Sequence, residues 1–181
     1  MRGKAPRHIA LATAALLALA LGACDTPPPA TPLAGGAGTW HEFEGSWNAA
    51  GSRHAIPLGA GRTASIISLR GTMLLAGPGK PGVAFRADVI GLVDSATGLV
   101  GRSVWTDERG DEVYGELKGE GTADHNRITG TIVGGTGRYA GATGDFAFSW
   151  KYVIEAGEGA IQGRGVALKG RVRGQAVEQR P

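Results

Sequence analysis

From Thr39 to Arg173 apolar residues recur at every second position, glycine clusters interrupt them, and no helical period outlasts a single turn. A period of two gives each strand one apolar face, and that face has to be buried. In Ile67, Leu69, Gly71, Met73 and Leu75 the face is apolar or small, with Ser68, Arg70 and Thr72 opposite. Val83, Phe85, Ala87, Val89, Gly91 and Val93 repeat the pattern against Arg86 and Asp88. Leu99 to Thr106, then Val113, Gly115 and Leu117, then Ile128, Gly130 and Ile132 continue it. The clearest run is Phe146, Phe148, Trp150, Tyr152 and Ile154, and Ala160 to Arg173 closes the series. With Trp40 to Asn48 and Arg53 to Leu58, the count is eight or nine strands. Most connections, such as Gly77 to Gly82, Asp94-Ser95-Ala96 and Asp107 to Gly110, have hairpin length and turn chemistry. A closed meander barrel buries the apolar faces and leaves no edge; a two-sheet sandwich is the alternative. The expected fold class is all-β, a small closed antiparallel barrel of about eight strands. Glycine supplies 32 of the 181 residues. At the inward positions 71, 91, 115 and 130 it suits a strongly coiled barrel whose backbones approach closely.

The chain before Thr39 has a different character. Arg2, Lys4, Arg7 and His8 precede 13 apolar or small residues, Ile9 to Leu21. That stretch is too short for a bilayer span and right for an export signal. Leu21-Gly22-Ala23-Cys24 resembles the bacterial lipoprotein lipobox. The resemblance implies cleavage before Cys24, which then carries acyl chains that hold the protein at a membrane. It also gives a role to the single cysteine of the chain, which in an exported protein has no intramolecular disulfide partner. Residues 25–38, DTPPPATPLAGGAG, lack patterned hydrophobics and read as a flexible tether. The expected organisation is therefore a signal over 1–23, a lipidated Cys and tether over 24–38, the barrel over 39–174 and a tail over 175–181. The barrel is expected on the non-cytoplasmic side of a bacterial envelope.

Charge narrows the partners. Three of the 19 Lys and Arg lie in the leader, so the remaining basic residues only balance the 16 acidic ones. The overall charge of +3 belongs to the leader, and a nucleic-acid partner, which needs a basic face, is not expected.

Residues 128–152, ITGTIVGGTGRYAGATGDFAFSWKY, resemble the strand, Gly-Gly-Thr-Gly-Arg-Tyr-Ala-Gly turn and strand of the allene oxide cyclase-like and dirigent-like barrels, which are of the calycin type. That resemblance implies an eight-stranded barrel, and for function an apolar cavity that guides cyclisation or coupling of reactive intermediates. The plant cyclases' catalytic residues have no counterparts that can be placed on this sequence. Gly45-Ser46-Trp47 resembles the Gly-x-Trp of lipocalins, which implies an Arg from the last strand, Arg171 or Arg173, over Trp47.

Candidate chemistry is sparse. Gly135-Thr136-Gly137-Arg138-Tyr139-Ala140 fits a dinucleotide fingerprint in letters only, because no helix follows to hold a pyrophosphate. Glu42 and Glu44 share a strand face, which reads as an exposed outer face rather than an acid/base pair. Asp107, Glu108, Asp111 and Glu112 crowd one turn and read as a solvated hairpin tip rather than a cation site. His41, His54 and His125 have no paired spacing for zinc, and there is no Gly-x-Ser-x-Gly. No cofactor or metal is expected. Trp105, Tyr114, Trp150 and Tyr152, with Arg102 and Glu116, are candidates for a cavity mouth.

The expected function is thus a membrane-anchored envelope protein, non-enzymatic, that binds a small apolar ligand or a protein partner. A cyclase or isomerase using Glu116, Tyr114 and Arg102, and a structural protein with a filled barrel, are the alternatives.

Overall fold

The computed structural model describes residues 38–120, 127–155 and 159–174. The leader, Cys24, the tether, His125 and the 175–181 tail lie outside the described residues. Eight strands follow one another: β1 (His41–Gly59), β2 (Arg62–Ala76), β3 (Val83–Asp94), β4 (Gly98–Asp107), β5 (Glu112–Gly119), β6 (Arg127–Gly135), β7 (Thr143–Glu155) and β8 (Ala160–Arg173). Each pairs antiparallel with the next, and β8 returns to β1, so the sheet closes into a barrel. Among the described residues the only helical element is one 3-10 turn, Gly137–Tyr139.

The two segments 40–48 and 53–58 are one strand, not two. β1 runs unbroken through Ala49, Ala50, Gly51 and Ser52, because those residues pair on both sides, with β2 and with β8. A glycine there marks close approach rather than a turn: a Cβ on Gly51 would sit 1.9 Å from the Ser68 carbonyl oxygen.

The register sets the barrel's shape. Followed pair by pair from Ser52 through Ser68, Ile90, Arg102, Glu116, Thr131, Asp145 and Arg171, it returns to β1 at Glu42, ten residues from its start. A stagger of that size tilts the strands by about 40° and leaves eight strands an interior just wide enough for side chains or one small ligand. The chain enters at Gly38 and leaves at Gly174 at one end, here the lower, which also carries the β2–β3, β4–β5 and β6–β7 connections. The β1–β2 and β3–β4 connections lie at the upper end, together with the last residues of β5 and β7 and the first residues of β6 and β8.

The alternation decides what points inward. Ile67, Leu69, Met73 and Leu75 of β2, Phe85, Ala87 and Val89 of β3, and Val113 and Leu117 of β5 are buried. Ser68, Arg70 and Arg86 face out. Inward glycines make room for rings: a Cβ on Gly130 would sit 2.1 Å from Phe146 Cζ, and one on Gly163 would sit 2.5 Å from Trp150 Cζ2. In β7 the pattern holds for Phe146, Phe148 and Trp150 and then stops. A register shift between Tyr152 and Ile154 breaks it where the strand passes the rim, and both residues are exposed.

Candidate functional site

The lower half of the barrel is filled by rings. Trp105 packs edge-on against Phe146 (centroids 4.9 Å apart) and Phe85 (6.2 Å), and Tyr139 covers Phe85 from below at 5.8 Å. At the waist, bounded by Met73, Ser103, Trp105 and Leu168, a void of only about 10 Å³ remains, close to the space of one water molecule. The indole N–H of Trp47 and the Ser103 hydroxyl, which border it, lack hydrogen-bond partners among the described residues.

Above the waist the inward residues are mostly aliphatic, and they leave a pocket of about 80 Å³. Ile67, Leu69, Val89, Leu117 and Ile161 form its walls, with the rings of Trp47, Phe148 and Trp150 among them. Trp47 lies 5.2 Å from Trp150 and edge-on to Phe148 at 6.1 Å. Glu120 and Tyr152 are the ionisable residues of the lining, and both are exposed. The pocket is neither the several hundred Å³ typical of ligand sites nor a closed core. At about half the size of a cavity of roughly 150 Å³ that holds benzene, it admits the end of an apolar molecule.

The six cavity candidates separate. Trp105 and Trp150 point inward, but Trp105 belongs to the filled lower half and only Trp150 lines the pocket. Tyr152 stands at the rim, 41% exposed, with its ring perpendicular to that of Trp150 at 6.0 Å. Arg102, Tyr114 and Glu116 occupy the alternate positions of β4 and β5 and therefore lie on the outer surface. There Arg102 pairs with Glu116 at 3.1 Å, and the Tyr114 hydroxyl donates to Glu112 at 2.8 Å. That hydrogen bond, with some burial, raises the Tyr114 pKa. Sequence proximity had grouped residues that the pleat sends to opposite faces. The inward upper positions Val93, Leu99, Ile128 and Ile161 complete the pocket. Their signal was parity within each strand combined with nearness to the upper turns.

The glycine-rich turn between β6 and β7 fastens the lower end. Asp107, expected at a solvated tip, has no exposed side-chain surface. Its Oδ1 accepts from the backbone N–H of Arg109 (2.7 Å) and of Asp111 (3.0 Å), and its Oδ2 accepts from Arg138 Nε at 2.7 Å. Burial pushes the Asp107 pKa up, but these hydrogen bonds outweigh it and hold the carboxyl below its ordinary value. Arg138 also reaches Glu108 at 3.2 Å, while Glu112 and Thr136 exchange two hydrogen bonds between the turns. Gly137 abuts Asp111, whose Oδ1 would lie 1.8 Å from any Cβ there, at a positive φ of 49°. Burial, with the Asp107 charge, raises the Tyr139 pKa to about 12, so its phenol stays neutral at physiological pH.

Glu42 and Glu44 are exposed, as an outer face requires. No three metal-binding side chains gather among the described residues. Arg171 and Arg173 do not cover Trp47; they stack on Trp40, at 4.8 and 4.9 Å from its ring centre, because Trp47 faces the interior beside Gly165 while the arginines end β8 at the lower rim. A wider recess of about 610 Å³ lies there, lined by Trp40, Phe43, Pro78, Val83 and Tyr139, but it is a surface groove beneath the filled half.

No protein-family model matches the chain, and no curated protein sequence does. A similar solved structure is that of a pterocarpan synthase dirigent protein, with a TM-score of 0.47 and 12% sequence identity over 79% of this chain and 90% of that one.

Proposed function

We propose that this chain is a lipid-anchored envelope protein whose barrel holds the apolar end of a small ligand in its upper half, without chemical transformation. The observation that carries the reading is the pocket: aliphatic and aromatic walls, about 80 Å³ of space, and no charged group deeper than Glu120 at its mouth. Such a site offers burial and shape, and nothing in its depth to move a proton. The residues that a cyclase would use, Arg102, Tyr114 and Glu116, lie on the outer surface and do not reach this space. The membrane anchor rests on Cys24 and the leader before it. A structural role with no ligand is the second reading, favoured by the filled lower half and waist.

Native mass spectrometry of the protein purified from its own envelope tests the first reading. A co-purifying small apolar molecule, displaced when Trp150 is changed, is the expected result. A clean apo mass, with no change in tryptophan fluorescence on titration with short aliphatic and aromatic alcohols, overturns it in favour of the second. Separately, Cys24→Ser should move the protein from the membrane to the soluble fraction. Retention at the membrane defeats the anchor.

A further inference from the structure

The outward positions of β2, β3 and β4 are not uniformly polar. In the lower part of this wall they carry Arg70, Thr72, Arg86 and Asp88, with Leu74 as a single exposed aliphatic residue among them. Toward the upper end they carry Ile66, Ile90, Leu92 and Val100, which are 62%, 62%, 55% and 56% exposed. The register sets Ile66 opposite Leu92 and Leu92 opposite Val100, so three aliphatic side chains stand abreast across three strands. Ile90 lies in the next outward row below, opposite Ser68 and Arg102. Above them, Ile56 and Leu58 of β1 extend the patch on the hairpin, with Ile56 opposite Ala64. Isolated exposed aliphatics are ordinary, but a contiguous patch on adjacent strands marks an interaction surface.

We propose that this face is the contact between two copies of the chain, packed sheet to sheet about a two-fold axis. Such an interface must complement itself, and the border of the patch does. Arg62 pairs with Asp94 at 3.0 Å above it, Asp88 with Arg70 and Arg86 below it, and Arg102 with Glu116 beside it. Both signs are present and, Lys118 opposite Val100 apart, neutralised in pairs, so a second copy meets an aliphatic centre inside a mixed-charge rim, the usual anatomy of a protein interface. A bilayer is the poorer occupant, because anionic headgroups are drawn to clusters of unpaired cations, and the patch has one at its edge. Of the other exposed cations that make no ion pair among the described residues, Lys80 lies at the lower turn of this wall, and Arg127, Lys151 and Arg164 lie on β6 to β8, away from the patch. In area, the six aliphatic side chains offer on the order of 500 Å². With the rim this approaches the ~800 Å² per partner of a stable interface. Outer faces of two such sheets pack about 10 Å apart with their strands roughly aligned.

Sedimentation of the full chain carrying Cys24→Ser, over a range of concentrations, tests this. The expected result is a dimer whose dissociation constant rises at least tenfold in Leu92→Lys and in Ile66→Lys. Val133→Lys, at an exposed apolar position on β6, should leave the constant unchanged. Circular dichroism and the thermal midpoint report whether each variant is folded, and a double variant, Ile66→Ser with Leu92→Ser, repeats the test without introduced charge. A monomer at millimolar protein, or a dimer indifferent to all three face variants, overturns the proposal. So does a monomer that floats with phosphatidylcholine vesicles and loses that binding in Leu92→Lys, which would assign the face to a lipid surface.

Discussion

The two halves of the barrel obey the same alternation and differ in what it carries inward. Below the waist Phe85, Trp105, Phe146 and Tyr139 meet ring to ring and occupy the interior. Above it Ile67, Leu69, Val89, Leu99 and Ile161 line the walls, and the same barrel cross-section keeps about 80 Å³ unfilled. Parity within a strand decides whether a residue faces in. Side-chain volume, summed over eight strands at one height, decides whether the interior is core or pocket. The lower half is in addition pinned by the Asp107–Arg138 pair, whereas the ionisable groups of the upper pocket are at its mouth.

That contrast predicts a ranking of effects. Phe146→Ala, in the filled half, should destabilise most, by about 3–5 kcal/mol, measured by urea unfolding. A loss no greater than that of Trp150→Ala would erase the distinction, since Trp150 already borders empty space and its removal should cost less while enlarging the pocket. Next comes Asp107→Asn. The folded-state pKa of Asp107 is depressed from its ordinary value of 3.8. The stability this carboxylate supplies is therefore complete above pH ~4 and is lost as pH falls through the lowered value. Thermal midpoints measured at neutral pH and at progressively lower pH should show a wide gap between wild type and variant that narrows with acid. A gap independent of pH would mean that Asp107 acts by shape alone. The smallest effect belongs to Glu116→Gln, which should change stability by no more than about 0.5 kcal/mol and leave ligand binding untouched. A loss of binding there would bring the outer wall into the site.

Much of this was legible in the sequence. The strand positions, the inward sets of β2, β3, β5 and β6, and closure into a barrel follow from period two and the need to hide edges. Two things were not legible, for physical reasons. Gly51 reads as a break in β1 until its neighbours on both sides are known, because close approach and turning ask for the same residue. Arg102, Tyr114 and Glu116 looked like companions of Trp105, because nearness along the chain says nothing about which face of a pleat a side chain takes. Asp107 was hidden for another reason. Its burial depends on Arg138, 31 residues on, and no local pattern announces so distant a partner. The apolar outer patch was written in the sequence as Ile66, Ile90, Leu92 and Val100, but only the register shows that Ile66, Leu92 and Val100 stand side by side with Ile90 in the row below.

Gly38 and Gly174 touch at the lower end, where a Cβ on the first would lie 2.1 Å from the carbonyl oxygen of the second. A short peptide link between them would make the barrel a circle, and the circle can be cut elsewhere. Cutting at the exposed Ser95–Thr97 turn moves both new ends to the upper rim without removing a strand. A label or partner fused there would sit beside the open half instead of the filled one. The circular permutant thus separates two properties that the natural strand order joins: which half is filled, and which half carries the free ends of the first and last strands.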